Sequence, residues 1–260
     1  KGKWAVTGLA AKLNENSTTN PKDVNLYGVT GKYDYSEIVK ASAYAYQKDD
    51  RSNATFDHNT LNVFGVKAMG KYMGVGYGAE YAMNAGKNKQ VAGTPKYTGS
   101  ALKVNADYSL DLKAAGKFDF MGEYAMGSGE KAAASKTEEF QAISHNYLPG
   151  MIFGTYGVGQ TMNGLGNLTT YNVGANYMPK QIEKLSVGAK FFNFAPTEKI
   201  IVNGANYDKS YGNELDLCAN WKHSENVGLK AAYAMFMPEK KFAGKDTTET
   251  LMSLGLNLKF

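Results

Sequence analysis

The sequence predicts an all-β chain folded as a transmembrane antiparallel up-and-down β-barrel of about fourteen strands. Three observations carry that expectation. Large apolar side chains recur at every second position in segments of about ten residues, a spacing that puts them on one face of a strand. The links between segments alternate between tight turns and long polar stretches. The apolar faces hold no acidic residue and almost no lysine in their central parts.

The segments run in order along the chain. "WAVTGLAAKL" comes first and has plausible residues on both faces. "LYGVTGKYDY" sets Tyr27, Val29, Tyr33 and Tyr35 against Thr30, Lys32 and Asp34. "ALKVNADYSL" sets Leu102, Val104, Ala106, Tyr108 and Leu110 against Lys103, Asn105, Asp107 and Ser109. "LSVGAKFF" opposes Leu185, Val187, Ala189 and Phe191 to Ser186, Gly188 and Lys190. "ELDLCANWK" opposes Leu215, Leu217, Ala219 and Trp221 to Glu214, Asp216, Asn220 and Lys222. In "VGLKAAYAMFM", Val227, Leu229, Ala231, Tyr233, Met235 and Met237 share a face opposite Lys230. The final "LMSLGLNLKF" alternates from Met252 to Phe260. Helical spacing at i, i+3, i+4 is absent.

Tight links fall at 36–37, 73–74, 113–117, 179–184 and 223–226; long ones at 14–23, 47–58, 85–98, 127–136, 195–210 and 238–247. A meander with all its tight turns at one end and all its loops at the other is the pattern of outer-membrane barrels. If 137–144 descends from the 127–136 loop and 168–178 also descends, an ascending strand must lie between them. "GMIFGTYGV" at 150–158 is the segment available, which gives the count of fourteen, with both termini at the tight-turn, periplasmic end. Closure is expected between the first segment and the last, since a membrane tolerates no open sheet edge. Residues 1–260 read as one barrel domain. A preceding domain or hairpin stays open as an alternative, and the hairpin would make the count sixteen.

Composition narrows the function classes. The chain has 29 basic and 24 acidic residues, and every basic residue but Arg51 is a lysine. These are spread evenly, without the basic block that nucleic-acid binding requires. Mean hydropathy is −0.40, as expected where lumen and loops are polar. No apolar run is long enough for a transmembrane helix. A lysine on the lipid face would cost roughly 2–4 kcal/mol at mid-bilayer, so the face lacking charge is the one assigned to hydrocarbon. Tyr33, Tyr35, Tyr72, Tyr81, Tyr108 and Tyr177 lie near segment ends, where an aromatic girdle belongs.

Two stretches add a resemblance. "SLGLNLKF" resembles the C-terminal targeting signal of outer-membrane barrels. The stretch from "NLTTYNVGANYMPKQIEKLSVGAKFF" through "YGNELDLCANWKHSENVGLKAAYAMFMP" is similar to the alginate-export-like family of porins. A lysine-rich, arginine-poor barrel is also similar to the stalk-bearing major porins of diderm Firmicutes, which carry an upstream surface-layer-homology domain. The resemblance implies an outer-membrane channel. Alginate exporters line the pore with arginine, whereas the single arginine here sits in a loop, so that activity is not carried over.

Sites of chemistry are scarce. Cys218 has no partner for a disulfide, and His58, His145 and His223 fall in loops or turns without ligand spacing. "GVGYGAE" at 74–80 alternates like a strand and opens no helix, unlike a phosphate loop. No catalytic order of side chains emerges, so a non-enzymatic protein with no cofactor is expected. Parity places Lys32, Lys40, Lys67, Lys71, Lys103, Lys190, Lys222, Lys230 and Lys259 in the lumen. It places Asp34, Glu80, Asp107, Asp119, Glu123, Glu214 and Asp216 there too, a mixed wall with at most a mild anion preference. Tyr44, Tyr46, Phe192 and Phe194 are the inward aromatics. The Gly-rich stretch 142–166 reads either as one irregular strand with an outer loop or as a segment folding into the lumen.

The expected function is a water-filled outer-membrane pore for passive diffusion of ions and small polar solutes. A substrate-selective sugar or acid channel and an envelope tether are the alternatives. Outer-membrane lipid and small solutes are the expected partners, with no nucleic acid; a homotrimer enters only by analogy with general porins.

Overall fold

The structure is a computed structural model, and it describes residues 2–15, 23–52, 58–131, 136–144, 146–155, 164–202, 204–208, 210–243 and 247–259. Strands β1 (Lys3–Asn14), β2 (Val24–Asp34), β3 (Lys40–Asp50), β4 (Asn59–Tyr72) and β5 (Val75–Asn88) open the chain. The two-residue strand β6 (Lys96–Tyr97) precedes β7 (Ser100–Asp111) and β8 (Gly116–Gly127). After β9 (Lys136–Thr137) and a π-helical turn at Gly150–Gly154 come β10 (Thr169–Pro179) and β11 (Leu185–Ala195). A small hairpin, β12 (Ile200–Val202) and β13 (Ala205–Tyr207), leads to β14 (Gly212–Trp221) and β15 (Val227–Pro238). The helical turn α1 (Lys240–Ala243) and β16 (Glu249–Leu258) complete the described chain.

One 14-stranded sheet holds all of these strands except β12 and β13, in the order β1-β2-β3-β4-β5-β7-β8-β10-β11-β14-β15-β16, with β6 and β9 set off the path. Every neighbour on the path is antiparallel, so the meander is unbroken. Its links alternate as the sequence indicates. Met73 and Gly74, both at positive φ, make the tightest turn. Residues 128–168 make the longest connection.

The count of fourteen stands, but its make-up differs from the sequence reading. Neither 137–144 nor 150–158 forms a crossing strand; residues 138–144 are irregular, 150–154 coil into the π-helical turn, and 156–158 lie outside the described residues. The physical reason is the ladder itself. β8 pairs directly with β10 from Gly116↔Pro179 to Met126↔Thr169, so no place remains between them. β8 ascends and β10 descends, which satisfies parity without an extra strand. Two short loop strands, β6 and β9, make up the number instead.

Closure also differs. Among the described residues no ladder joins β1 to β16, and both strands are exposed along nearly their whole length. β1 carries apolar residues on both faces, Trp4 and Val6 on one and Leu9 on the other, so alternation does not pin its far-side partner.

The sheet curls around one face. The segment after Ser128 contacts β5 through Gln141 on Asn84, β8 through Tyr147 on Glu123, and β14 through the turn at 150–154 on Glu214. Only a sheet wrapped round that segment can present strands from both halves of the chain to it. The enclosed cluster joins Leu61 and Val63 of β4 to Phe192, Phe194 and Phe236, with Ile152 and Phe153 between. The opposite face is apolar and largely exposed, with Phe64, Val66, Tyr171, Val173, Leu217 and Leu254 among its exposed side chains. A soluble sheet would not leave such a face bare.

Glycines of the inner face let aromatic rings lie flat on it. A Cβ at Gly65 would overlap the Tyr44 ring, and one at Gly28 the Tyr46 ring. The two phenols then reach Glu80 Oε1 and Thr30 Oγ1, each at 2.8 Å. On the outer face aromatics gather at the tight-turn end, with Trp4 stacked on Tyr33 at 4.3 Å and Phe118 on Tyr177 at 4.5 Å. Such a belt marks the level of lipid headgroups. Val173, 56% exposed in the middle of β10, faces hydrocarbon on this assignment. Val173→Arg is therefore expected to lower the free energy of folding into lipid vesicles by roughly 2–4 kcal/mol. A urea titration in vesicles measures it; no change would place that face against protein or water.

Candidate pore

Register assigns the inner-face side chains strand by strand. Lys32 stands opposite Ser42, and Ser42 opposite Lys67. Lys67 stands opposite Glu80, and Glu80 opposite Lys103. Lys40, Lys71, Asp107, Asp119 and Glu123 fall on the same face two or four residues along. In the second half, Lys190 stands opposite Asp216, Phe192 opposite Glu214, and Lys230 opposite Asn220; Lys222 and Lys259 follow their strands on this face. Asp34 joins it beside Lys40.

These residues divide into two levels. At the tight-turn end Lys40, Lys71, Lys222 and Lys230 are exposed. At the loop-side level Glu214 and Asp216 are buried, 0% and 7% exposed, beneath the inserted segment. Glu214 accepts the backbone N–H of Ile152 on Oε1 and that of Phe153 on Oε2, both at 2.7 Å. Asp216 Oδ2 accepts the N–H of Met151 at 3.1 Å. The first turn of a helix leaves its N–H groups without intrahelical acceptors, and here wall carboxylates supply them. Gly150 is needed at this joint: its φ is +83°, and a Cβ there would come within 2.8 Å of the Glu214 carboxylate.

Further anchors surround it. Phe153 is fully buried and stacks on Phe194 with centroids 3.9 Å apart; Phe236 and Tyr211 pack beside it. The Asn84 side chain makes a reciprocal pair with the Gln141 backbone, donating at 3.0 Å and accepting at 2.7 Å. Tyr147 donates to Glu123 Oε1 at 2.8 Å. Burial, with the Glu123 charge beside it, pushes the Tyr147 phenol well above its ordinary range, so it stays a donor. Burial also holds Glu139 above the usual carboxylate range, with Glu130 adding repulsion.

Sequence reasoning therefore named Glu214, Asp216 and Glu123 as lumenal residues but not what they hold. Phe192 and Phe194 do face inward, yet they are 4% and 0% exposed, packed under the segment rather than lining an open track. Periodicity missed Asn84, Tyr147 and Gly150. The break "LPG" at 148–150 is the one local sign that a strand could not continue there. His145 and Phe260 lie outside the described residues.

A curled antiparallel meander with an exposed apolar face and a charged inner face is the architecture of a membrane β-barrel. Among the described residues no helix is long and apolar enough to cross a membrane. The family model for alginate export matches residues 4–248, and the chain belongs to that family. Among solved structures, a chain from work on the in-meso crystallization of membrane proteins is similar over 97% of this chain and 82% of its own length. Its identity is 8% and the TM-score 0.36. A search of curated protein sequences finds no match.

Proposed function

We propose that the protein is a non-enzymatic, water-filled pore through which ions and small polar solutes diffuse across the outer membrane, both termini lying on the periplasmic side. The observation that carries this reading is the inner face. It keeps exposed lysines and acids around open space at the tight-turn end, while the loop-side level is narrowed by a segment fastened to the wall. A barrel of this size has more interior than side chains alone can fill. Charged walls of this kind raise or lower the local ion concentration without a chemical step. Outer-membrane lipid covers the apolar face in this reading.

Conductance of the purified protein in planar bilayers, repeated with neutral sugars of increasing size, tests it. Stepwise channels with a size cut-off among the sugars are expected. A protein that inserts but passes neither salt nor sugar would overturn the proposal.

A further inference from the structure

Acids and amines are nearly balanced in number on the inner face, but the fold treats them unequally. Glu80 accepts from Tyr44 and lies 3.9 Å from Lys67 Nζ. Glu123 is engaged by Tyr147, and Glu214 and Asp216 by the amides of 151–153. The amines are held more loosely: Lys67 has only the long contact to Glu80, and Lys103 lies over the Tyr147 ring at 5.8 Å. A cavity of about 580 Å³ at the tight-turn end is bordered by Lys40, Lys67, Lys71 and Lys103, with Glu37, Asn105 and Asp107. Among the described residues Lys40, Lys71 and Lys103 form no ion pair with a carboxylate.

Two glycines shape this cavity. A Cβ on Gly76 would collide with the Asp107 carboxylate, and one on Gly78 would come within 2.6 Å of Asn105 Oδ1. Asp107 and Asn105 therefore lie across the backbone of β5 rather than standing off the wall. Four ammonium groups then border the space against two carboxylates, those of Glu37 and Asp107, which leaves an excess of positive charge. Each ammonium is a compact charge with three rotatable donors, and none offers the flat fork of arginine.

We propose that this pocket is a subsite for compact multivalent anions, those carrying two or more negatively charged oxygens. The assignment rests on the pore reading above and names the solute class that the pore retains in transit. Such an anion offsets the repulsion among several amines at once, which chloride cannot do with one charge. Because the amines recognise charge and not planar shape, oxyanions and polycarboxylates of equal valence bind alike.

The test uses the whole chain in planar bilayers carrying potassium chloride, with inorganic pyrophosphate as the probe and citrate as its polycarboxylate counterpart. Both are expected to reduce the chloride current at millimolar concentration. The double variant Lys71→Gln with Lys103→Gln is expected to raise the half-blocking concentration about tenfold, a loss of about 1.4 kcal/mol. Lys71→Arg with Lys103→Arg keeps the charge, is expected to keep the block, and controls for folding. A current untouched by pyrophosphate, or blocked equally in the glutamine variant, overturns the subsite while leaving the pore intact. A protein that conducts neither chloride nor neutral sugars removes the pore itself, and the subsite with it.

Discussion

Replacing Glu214 by alanine will loosen the turn at 150–154 from the wall, raising single-channel conductance and lowering thermal stability together. The carboxylate accepts two amide N–H groups in a site with no solvent exposure. Hydrogen bonds to a charged acceptor contribute roughly 1.5–3 kcal/mol each, so about 3–6 kcal/mol of the segment's attachment is at stake. Glu214→Gln, which presents one acceptor and one donor to two donors, will fall between wild type and alanine. Heat-dependent gel mobility reads the stability, and bilayer recording reads the pore. Lower stability with unchanged conductance would mean that the Phe153–Phe194 stack alone holds the segment in place.

Excising the segment altogether will have the larger effect on the pore and the smaller one on the sheet. The chain leaves β8 and re-enters β10 at one spot, since the N–H of Gly127 donates to the carbonyl of Leu168 at 2.9 Å. A few glycine and serine residues in place of 141–165 can therefore bridge the gap without moving either strand. The size cut-off for neutral sugars will shift upward and conductance will rise, while the β content by circular dichroism stays close to wild type. An unaltered cut-off would show that the narrowest level lies elsewhere. Loss of sheet would show that β10 needs the segment in order to pair.

Some parts of this fold are legible in the chain and others are not. Strand faces were legible because lipid and water impose opposite demands on alternate residues. Along the paired strands β2–β5, β7, β8, β10, β11 and β14–β16 the ladders set alternate residues on opposite faces, as period two indicates. Turn sizes were legible for the same reason, as charge and glycine collect where the sheet reverses. The region 137–158 was not. "GMIFGTYGV" mixes apolar residues and glycine much as a strand would, and its true partners lie about sixty residues onward, in Glu214 and Asp216. A carboxylate that faces water and one that faces an amide look identical in a period-two pattern. The lack of a β1–β16 ladder among the described residues was not foreseen, because period two assigns faces and says nothing about the neighbour across a seam. Parity itself misled only where 137–144 was taken as a descending strand.

The grip on the inserted turn has one more implication. Glu214 and Asp216 hold main-chain groups, which every amino acid but proline possesses, and Gly150 is the one position there where φ and space together exclude a side chain. The clasp itself thus sets no demand on the side chains at 151–153, although Ile152 and Phe153 are held separately by their burial. Aperture could be retuned by changing the cargo of that clasp, with the strands around it left untouched.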